Sequence, residues 1–179
     1  MGRYYRFYGA RHSILQLGYL IDFEVQQEGT FLPRMRSLSH LPFPWLFEPA
    51  RLMVWQNMLQ QLEIHLRDAT SIDPFYYDTL LESAKKWHRQ NPKRLAVEWY
   101  VAMLDAEGRL DFHDRCYICE GALHDRIALM SGFNPAHPEC IYAPPLRKTD
   151  VVSLFDTHRS LHLDDHAVDT LYALMMKAF

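Results

Sequence analysis

The segment between Cys116 and Cys140 constrains the fold more than any other part of this 179-residue chain. It reads Cys116-Tyr-Ile-Cys119, then a linking stretch, then His137-Pro-Glu-Cys140, and it holds all three cysteines. Two short pairs, with two residues between the members of each, have the spacing of a tetrahedral zinc site in which each tight turn supplies two ligands. We therefore predict a structural zinc ion bound by Cys116, Cys119, His137 and Cys140. Four protein ligands leave no position for substrate or catalytic water.

Other interpretations of these residues are weaker. A redox dithiol at Cys116 and Cys119 normally opens a helix after a strand, whereas Gly and Pro residues punctuate this region. Cys140 alone is compatible with a buried core thiol, but this leaves its spacing from His137 unexplained. His113 and His124 are rival fourth ligands, yet neither forms a short pair with a cysteine.

Composition sets the class of protein. Apolar residues make up 49% of the chain and aromatic residues 13%, enough for a packed core. No apolar run approaches the roughly 18–20 residues that span a bilayer, and the opening residues lack the apolar stretch of a signal peptide. Three cysteines devoted to a metal favour a reducing cytoplasm. The net charge of −3 gives no general attraction to polyanions, so any nucleic-acid contact requires a local basic patch.

The first 41 residues predict a small β domain. Residues 1–12 are basic and aromatic, and Arg3, Arg6 and Arg11 are suited to phosphates while Tyr5 is suited to stacking on bases. The alternative is an ordinary strand with its rings in the core. Clean alternation from Leu17 to Val25 predicts a half-buried strand, and residues 31–38 carry a weaker strand pattern.

Residues 42–179 predict an α-helical domain with a zinc-binding insertion at about 112–143. A first helix begins near Trp45, and the pairs Asp73-Pro74 and Asn91-Pro92 each combine an N-cap with proline at the first helical position. A final helix begins near Asp164 or Asp165. The four tryptophans are expected in the core.

A dense basic cluster surrounds the junction between the second and third helices. Such a run is usually a solvated face, and the functional alternative is a docking patch for an acidic peptide or a phosphate backbone. The candidate partner-binding residues are Lys85, Lys86, Arg89, Lys93 and Arg94. No phosphate-binding loop, nucleophile elbow or metalloprotease motif is present, so we expect no enzymatic activity.

The order of these elements resembles the RecO family of bacterial recombination mediators. The residues that carry the resemblance are the opening Tyr5-Arg-Phe-Tyr-Gly-Ala-Arg-His-Ser13, the run from Leu95 to Leu110, and the Cys116-x-x-Cys119 that follows it. The resemblance implies an N-terminal OB-fold, a helical domain and an embedded zinc module.

The resemblance also implies a function without catalysis. RecO proteins bind single- and double-stranded DNA, anneal complementary strands, and work with RecR to load RecA onto SSB-coated DNA, with the acidic SSB tail docking on the helical domain. Carried onto this chain, the zinc ligands fall on Cys116, Cys119, His137 and Cys140. The strands that precede the segment matching Tyr5 in the family are absent here, so we expect only a partial OB-fold. The alternative function is a scaffold that binds RecR or the SSB tail without contacting DNA.

Overall fold

The computed structural model describes residues 15–30 and 33–177. The chain divides into two compact units, Met1–Ile72 and Asp73–Phe179. The first unit holds two strands and a long helix, and the second holds the remaining helices together with the predicted metal ligands. The domain boundary expected after residue 41 stays a prediction.

The first unit contains an antiparallel pair of strands, β1 (Leu20–Gln26) and β2 (Arg34–Leu41). The register shifts between Asp22 and Glu24, and Ser37 of β2 takes a left-handed conformation with φ of 52°. Its hydroxyl donates a 2.8 Å hydrogen bond to the Glu24 carboxylate across the pair. The shift is therefore a β-bulge whose unusual backbone is held by a side chain of the partner strand.

The burial of β1 differs from the sequence prediction. The alternating pattern predicts one covered face, yet Phe23 is 42% and Val25 62% exposed. Among the described residues the sheet has only these two strands, and two strands are too few to bury a face by themselves. The position of the strand is confirmed, while the predicted burial of its second half is wrong.

A short 3-10 helix (Pro44–Phe47) leads into α1 (Pro49–His65). Trp45 and Trp55 are both buried and meet edge to face at 5.3 Å. The Trp55 indole donates a 3.0 Å hydrogen bond to the Gly18 carbonyl. A Cβ at Gly18 would lie 2.7 Å from the Trp55 ring, and the φ of this residue is +92°, so only glycine fits here.

Two helices at the start of the second unit begin where the sequence predicts. The Asp73 side chain caps α2 (Pro74–Lys86) by accepting a 2.8 Å bond from the Phe75 amide. The Asn91 side chain caps α3 (Pro92–Ala106) by accepting a 3.0 Å bond from the Lys93 amide. Helix α3 forms the centre of this unit, with eight buried residues.

The rest of the second unit encloses a small sheet. Strands β3 (Arg126–Leu129), β4 (Pro135–Ala136) and β5 (Leu146–Arg147) pair antiparallel in the order β4-β3-β5. The short helix α4 (Pro138–Ile141) follows β4, and α5 (Lys148–Thr157) follows β5. The last helix, α6 (Asp165–Met175), begins where the sequence predicts; it packs on α3 and is capped by Asp164.

These elements make a mainly helical protein with small antiparallel sheets, as the composition and periodicity predict. All four tryptophans are at most 4% exposed, which confirms their assignment to the core. Within residues 15–30 and 33–177, none of the helices combines the length and the apolar character needed to cross a bilayer.

Candidate metal centre

The first turn of the centre holds Cys116 and Cys119. It lies in the segment between α3 and β3 and is closed by two backbone bonds: Cys116 N–H to the Gly121 carbonyl at 2.8 Å, and Glu120 N–H to the Cys116 carbonyl at 2.9 Å. Glu120 has a φ of 59°, which turns the chain back sharply. A single bridge between Arg115 and Ala122 anchors the base of the turn.

The second turn holds His137 and Cys140. His137 is the N-cap of α4, and Pro138 occupies the first helical position, where its missing N–H costs nothing. The Cys140 amide bonds the His137 carbonyl at 3.0 Å, which brings the two side chains onto the same side of one helical turn. The Tyr117 amide also donates to the Pro135 carbonyl at 2.9 Å and so fastens the first turn to the strand that leads into the second.

These two turns bring the four predicted ligands together. One potential ligand atom from each of Cys116, Cys119, His137 and Cys140 lies within 4.8 Å of all the others. The His137 Nδ1 atom is 3.3 Å from the Cys119 sulfur and 3.9 Å from the Cys140 sulfur. A tetrahedron with metal–sulfur bonds of about 2.3 Å and metal–nitrogen bonds of about 2.0–2.1 Å has edges of about 3.6–3.8 Å, so these separations fit. The predicted juxtaposition is confirmed.

The His137 ring is oriented by a contact on its far side. Its Nε2 atom lies 3.0 Å from the Ala122 carbonyl, which accepts hydrogen bonds and has none to donate. The proton therefore resides on Nε2, and the Nδ1 lone pair faces the thiols. Metal-binding histidines in proteins are held in this way, with one nitrogen free for the metal and the other donating to a backbone carbonyl or carboxylate.

The Cys116 sulfur lies in a nest of backbone donors. Its side chain is buried, and it accepts N–H bonds from Ile118 at 3.4 Å and His137 at 3.3 Å. Burial acts to raise the pKa of this thiol, but the amides of Cys119, His137 and Ile118 outweigh it and lower the pKa to about 6. Its lowered pKa therefore prepares Cys116 as a thiolate.

The pKa values of Cys140 and His137 shift in the opposite direction. Burial raises the pKa of Cys140 to about 11, with further contributions from the neighbouring Cys119 and Cys116 sulfurs. The bond to the Ala122 carbonyl, and then the contact with Cys119, raises the pKa of His137. Thiolates placed this close together repel one another, and a bound dication would supply the compensating positive charge.

Gly121 completes the pocket because it leaves space beside the ligands. A Cβ at this position would lie 3.2 Å from the His137 Cε1 atom and 3.4 Å from the Cys119 sulfur. This role of Gly121 was not predicted, although a glycine two residues after the second cysteine of a short pair is a usable sequence signal.

The rival ligands lie outside the cluster. His113 pairs with Asp111 at 2.8 Å, and neither His113 nor His124 belongs to the group of four. Three sulfurs and one nitrogen are donors that zinc accepts, and they occupy all four tetrahedral positions. The residues therefore fit a closed metal centre that would organise the chain between α3 and α5.

The remaining predicted site residues are the candidates for DNA binding and for partner binding. Arg3, Tyr5, Arg6 and Arg11 are outside the described residues. In the basic cluster, Arg94 donates to the Ser160 and Leu163 carbonyls and to Asp165, and Lys93 pairs with Asp169 at 2.7 Å, so both contact the chain around α6. Lys85 and Arg89 are exposed.

Two kinds of observation now bear on the class of protein. The fold and the site define a helix-dominated protein with an embedded cluster of three cysteines and one histidine that could hold a metal ion. Residues 1–46 match the family described as RecO N terminal. This match supports a relationship of the N-terminal segment to the RecO family and, in general terms, a role of RecO type in DNA repair and recombination. No curated protein matches the sequence.

Proposed function

We propose that this protein is a DNA repair and recombination mediator of RecO type that acts by binding and not by catalysis. In this role it binds single- and double-stranded DNA, anneals complementary strands, and helps load RecA onto SSB-coated DNA together with RecR. The observation that carries the proposal is the match of residues 1–46 to the RecO N-terminal family. The resemblance of residues 95–119 to the same family extends it into the second unit.

The metal centre supports a structural role for zinc. Four protein donors would fill a tetrahedral site and leave no open position for a substrate. Cys116, Cys119, His137 and Cys140 would hold the ion, and zinc supplies no redox chemistry there. This agrees with a protein whose function depends on surfaces, and we propose a cytoplasmic location for it.

The proposed DNA contacts of the N-terminal segment are electrostatic and stacking. Arg3, Arg6 and Arg11 would hold phosphates, and Tyr5 would stack on a base in a partial OB-fold-like domain. Each phosphate contact with a single strand lowers the logarithmic slope of affinity against salt by about 0.7, so three arginines account for a slope of about −2.

The test is single-strand binding and annealing by the zinc-loaded chain. Fluorescence anisotropy with a labelled oligonucleotide should show binding at low salt that weakens steeply as salt rises. Replacing Arg3 and Arg6 by Gln should flatten that dependence, whereas replacing Arg67, an exposed residue paired with Glu63, should not. A wild-type chain that binds no single strand at low salt would remove the DNA role.

A second function is supported by the basic residues at the end of α2. Lys85 and Arg89 are exposed there, and Lys86 lines a cleft of about 390 Å³ that has Leu95 and Trp99 among its apolar residues. A basic edge beside an apolar cleft suits an acidic peptide such as the SSB tail, although Asp78, Glu82 and Glu98 also line this cleft. The protein would then be a scaffold for RecR or SSB without DNA contact.

Peptide binding separates the two functions. If the scaffold function holds, replacing Lys85, Lys86 and Arg89 by Ala abolishes binding of an SSB-tail peptide, while replacing Arg3 and Arg6 leaves it intact. Peptide binding that is insensitive to the α2 residues would contradict the scaffold function.

A further inference from the structure

A second cleft lies in the unit Asp73–Phe179, on the side of the small sheet where β3 meets β5. It has a volume of about 300 Å³, at the lower end of ligand pockets. Its walls come from three places: the β3–β5 pair, the Pro144-Pro145 segment, and the start of α6. The basic side chains among its lining residues are Arg126, Arg147, His162 and His166.

The two arginines occupy directly opposed positions. Arg126 on β3 is the register partner of Arg147 on β5. Side chains at such positions begin about 4.5–5.5 Å apart, and like charges placed there repel each other. Both arginines are exposed, and within the described part of the chain neither guanidinium has a hydrogen-bond or ion-pair partner. An anion held between them would relieve this repulsion and satisfy both donor groups.

Two carboxylates also line the cleft. The Asp164 side chain accepts the bond from the Ala167 amide that caps α6, and the Asp150 side chain accepts a bond from the Thr149 hydroxyl. Both are thus engaged in local contacts, whereas the arginines are not. His162 and His166 are exposed, and each imidazole offers an N–H donor in its neutral form.

An exposed aromatic residue, Tyr142, lies two positions before Pro144, which lines the cleft. Tyr142 is 97% exposed and has a φ of 52°, a conformation that bulky residues rarely adopt. Tyr142 is the C-cap of α4, and its ring lies almost wholly in solvent, where it is accessible to a ligand outside the molecule. Aromatic rings beside basic grooves stack on the bases of single-stranded nucleic acids.

We propose that this cleft is a second nucleic-acid contact, in which Arg126 and Arg147 bind a backbone phosphate of a single strand and Tyr142 stacks on an adjacent base. The inference rests on the proposed DNA-binding function and adds a site in the second unit. The ligand is a single strand because bases in a duplex are already stacked on each other and offer no free face to Tyr142.

The arginines are tested by the salt dependence of binding. The full-length, zinc-loaded chain is titrated with fluorescent oligothymidylate over a series of KCl concentrations, and the double variant Arg126→Gln, Arg147→Gln is compared with wild type. Loss of the contact with this one phosphate should reduce the magnitude of the slope of log affinity against log salt by about 0.7. The charge-matched control Arg67→Gln, Lys177→Gln removes two exposed cations outside the cleft and should leave the slope unchanged. Equal changes in both double variants would overturn the proposal.

The ring is tested by a variant that relieves the backbone. Tyr142→Gly removes the side chain and favours the left-handed conformation, so lost binding cannot come from added strain. Affinity should fall at least about fivefold with an unchanged salt slope, and Tyr142→Phe should bind like wild type. Unchanged affinity in Tyr142→Gly would overturn the stacking role.

Two further outcomes distinguish a failure of the cleft proposal from a failure of the DNA-binding function on which it rests. If wild type binds oligothymidylate and the arginine variant matches it in affinity and slope, the cleft is excluded while the DNA-binding function stands. If wild type binds no oligothymidylate at low salt, both fall. Inorganic phosphate that fully displaces the oligomer at millimolar concentration and constant ionic strength would identify a small-anion pocket and overturn the assignment to a single strand.

Discussion

At the scale of single residues, the metal centre depends on groups that do not themselves bind metal. The Ala122 carbonyl fixes the proton of His137 on Nε2 from 3.0 Å, and three backbone amides stabilise the Cys116 thiolate. Gly121 leaves the space in which the His137 ring and the Cys119 sulfur lie. The affinity for metal is therefore set partly by the backbone between Cys119 and Ala122.

The variant Gly121→Ala tests whether these groups, which do not bind metal themselves, affect the affinity for metal. The φ of Gly121 is not in the left-handed region, so alanine adds no backbone strain, but its methyl group would lie 3.2 Å from the His137 ring. We expect the ring to shift by a few tenths of an ångström and metal affinity to fall by about 10- to 100-fold. Competition with a chromogenic chelator measures this. Ser131→Ala, at an exposed position outside the four ligands, is the control, and equal affinities in the two variants would contradict the role of Gly121.

The raised pKa of Tyr76 makes part of the folding stability depend on pH. Burial, together with the 2.6 Å bond from its hydroxyl to Glu107, raises the pKa of Tyr76 to about 12 from an ordinary value near 10. The folded state therefore keeps the proton more firmly than the unfolded state. The resulting stability is fully present below pH 10 and is lost as the pH rises towards 12.

Tyr76→Phe should remove that contribution. The free energy of unfolding should fall by about 1 kcal/mol at neutral pH, and the difference from wild type should shrink between about pH 10 and pH 12. Urea denaturation at a series of pH values measures the difference. A constant gap across this range would show that Tyr76 does not titrate as described.

At the scale of elements, α3 holds the connection between α5 and α6. The Glu98 carboxylate accepts bonds from the Ser160 amide at 2.9 Å and from the Ser160 hydroxyl at 2.8 Å. One turn earlier, Arg94 donates to the Ser160 and Leu163 carbonyls. Ser160 is 1% exposed, so its polar groups need these partners.

Glu98→Ala should therefore lower the free energy of unfolding more than the loss of an exposed carboxylate usually does. It leaves the buried Ser160 amide and hydroxyl without an acceptor, and the free energy of unfolding should fall by about 1–3 kcal/mol. Glu82→Ala is the matched control, because Glu82 forms only an exposed pair with Lys85 and should cost at most about 0.5 kcal/mol. Chemical denaturation of both variants provides the comparison, and similar losses would contradict the account.

Local sequence signals predict where helices begin better than they predict which side chains are buried and what those side chains contact. Asp73-Pro74, Asn91-Pro92 and Asp164 mark helix N-termini because a capping side chain acts within a few residues of the chain. The exposure of Val25 and the contact of Glu98 with Ser160 depend on parts of the fold that are distant in sequence. Helix α5 was missed because Val151–Phe155 shows less than two turns of apolar pattern.

The same contrast between local signals and contacts distant in sequence applies to the candidate metal centre and to the cleft. Paired spacing predicts the four ligands, because each pair is closed by one local turn. The opposition of Arg126 and Arg147 could not be predicted, since these residues are 21 positions apart and their pairing depends on the register of two short strands. The resemblance of the N-terminal segment to RecO is confirmed over residues 1–46.

At the scale of the molecule, the proposed zinc ion would join the two turns that hold its ligands. Structural zinc contributes about 10–16 kcal/mol of folding free energy in small metal-binding domains. Removal of the metal with a chelator should therefore lower the midpoint of thermal unfolding and open the segment 112–143 to proteases. Added Zn²⁺ should restore both properties and Mg²⁺ should restore neither, because Mg²⁺ requires oxygen ligands. Full protease resistance without metal would argue against this.

The central claim is that Cys116, Cys119, His137 and Cys140 close around one structural zinc ion. X-ray absorption spectroscopy on the purified protein, with metal analysis of the same sample, tests it most directly. The account predicts about one zinc per chain, three sulfur neighbours at about 2.3 Å and one nitrogen at about 2.0–2.1 Å. A sample with no tightly bound metal, or a spectrum that requires a water oxygen in place of one of these four ligands, would contradict it.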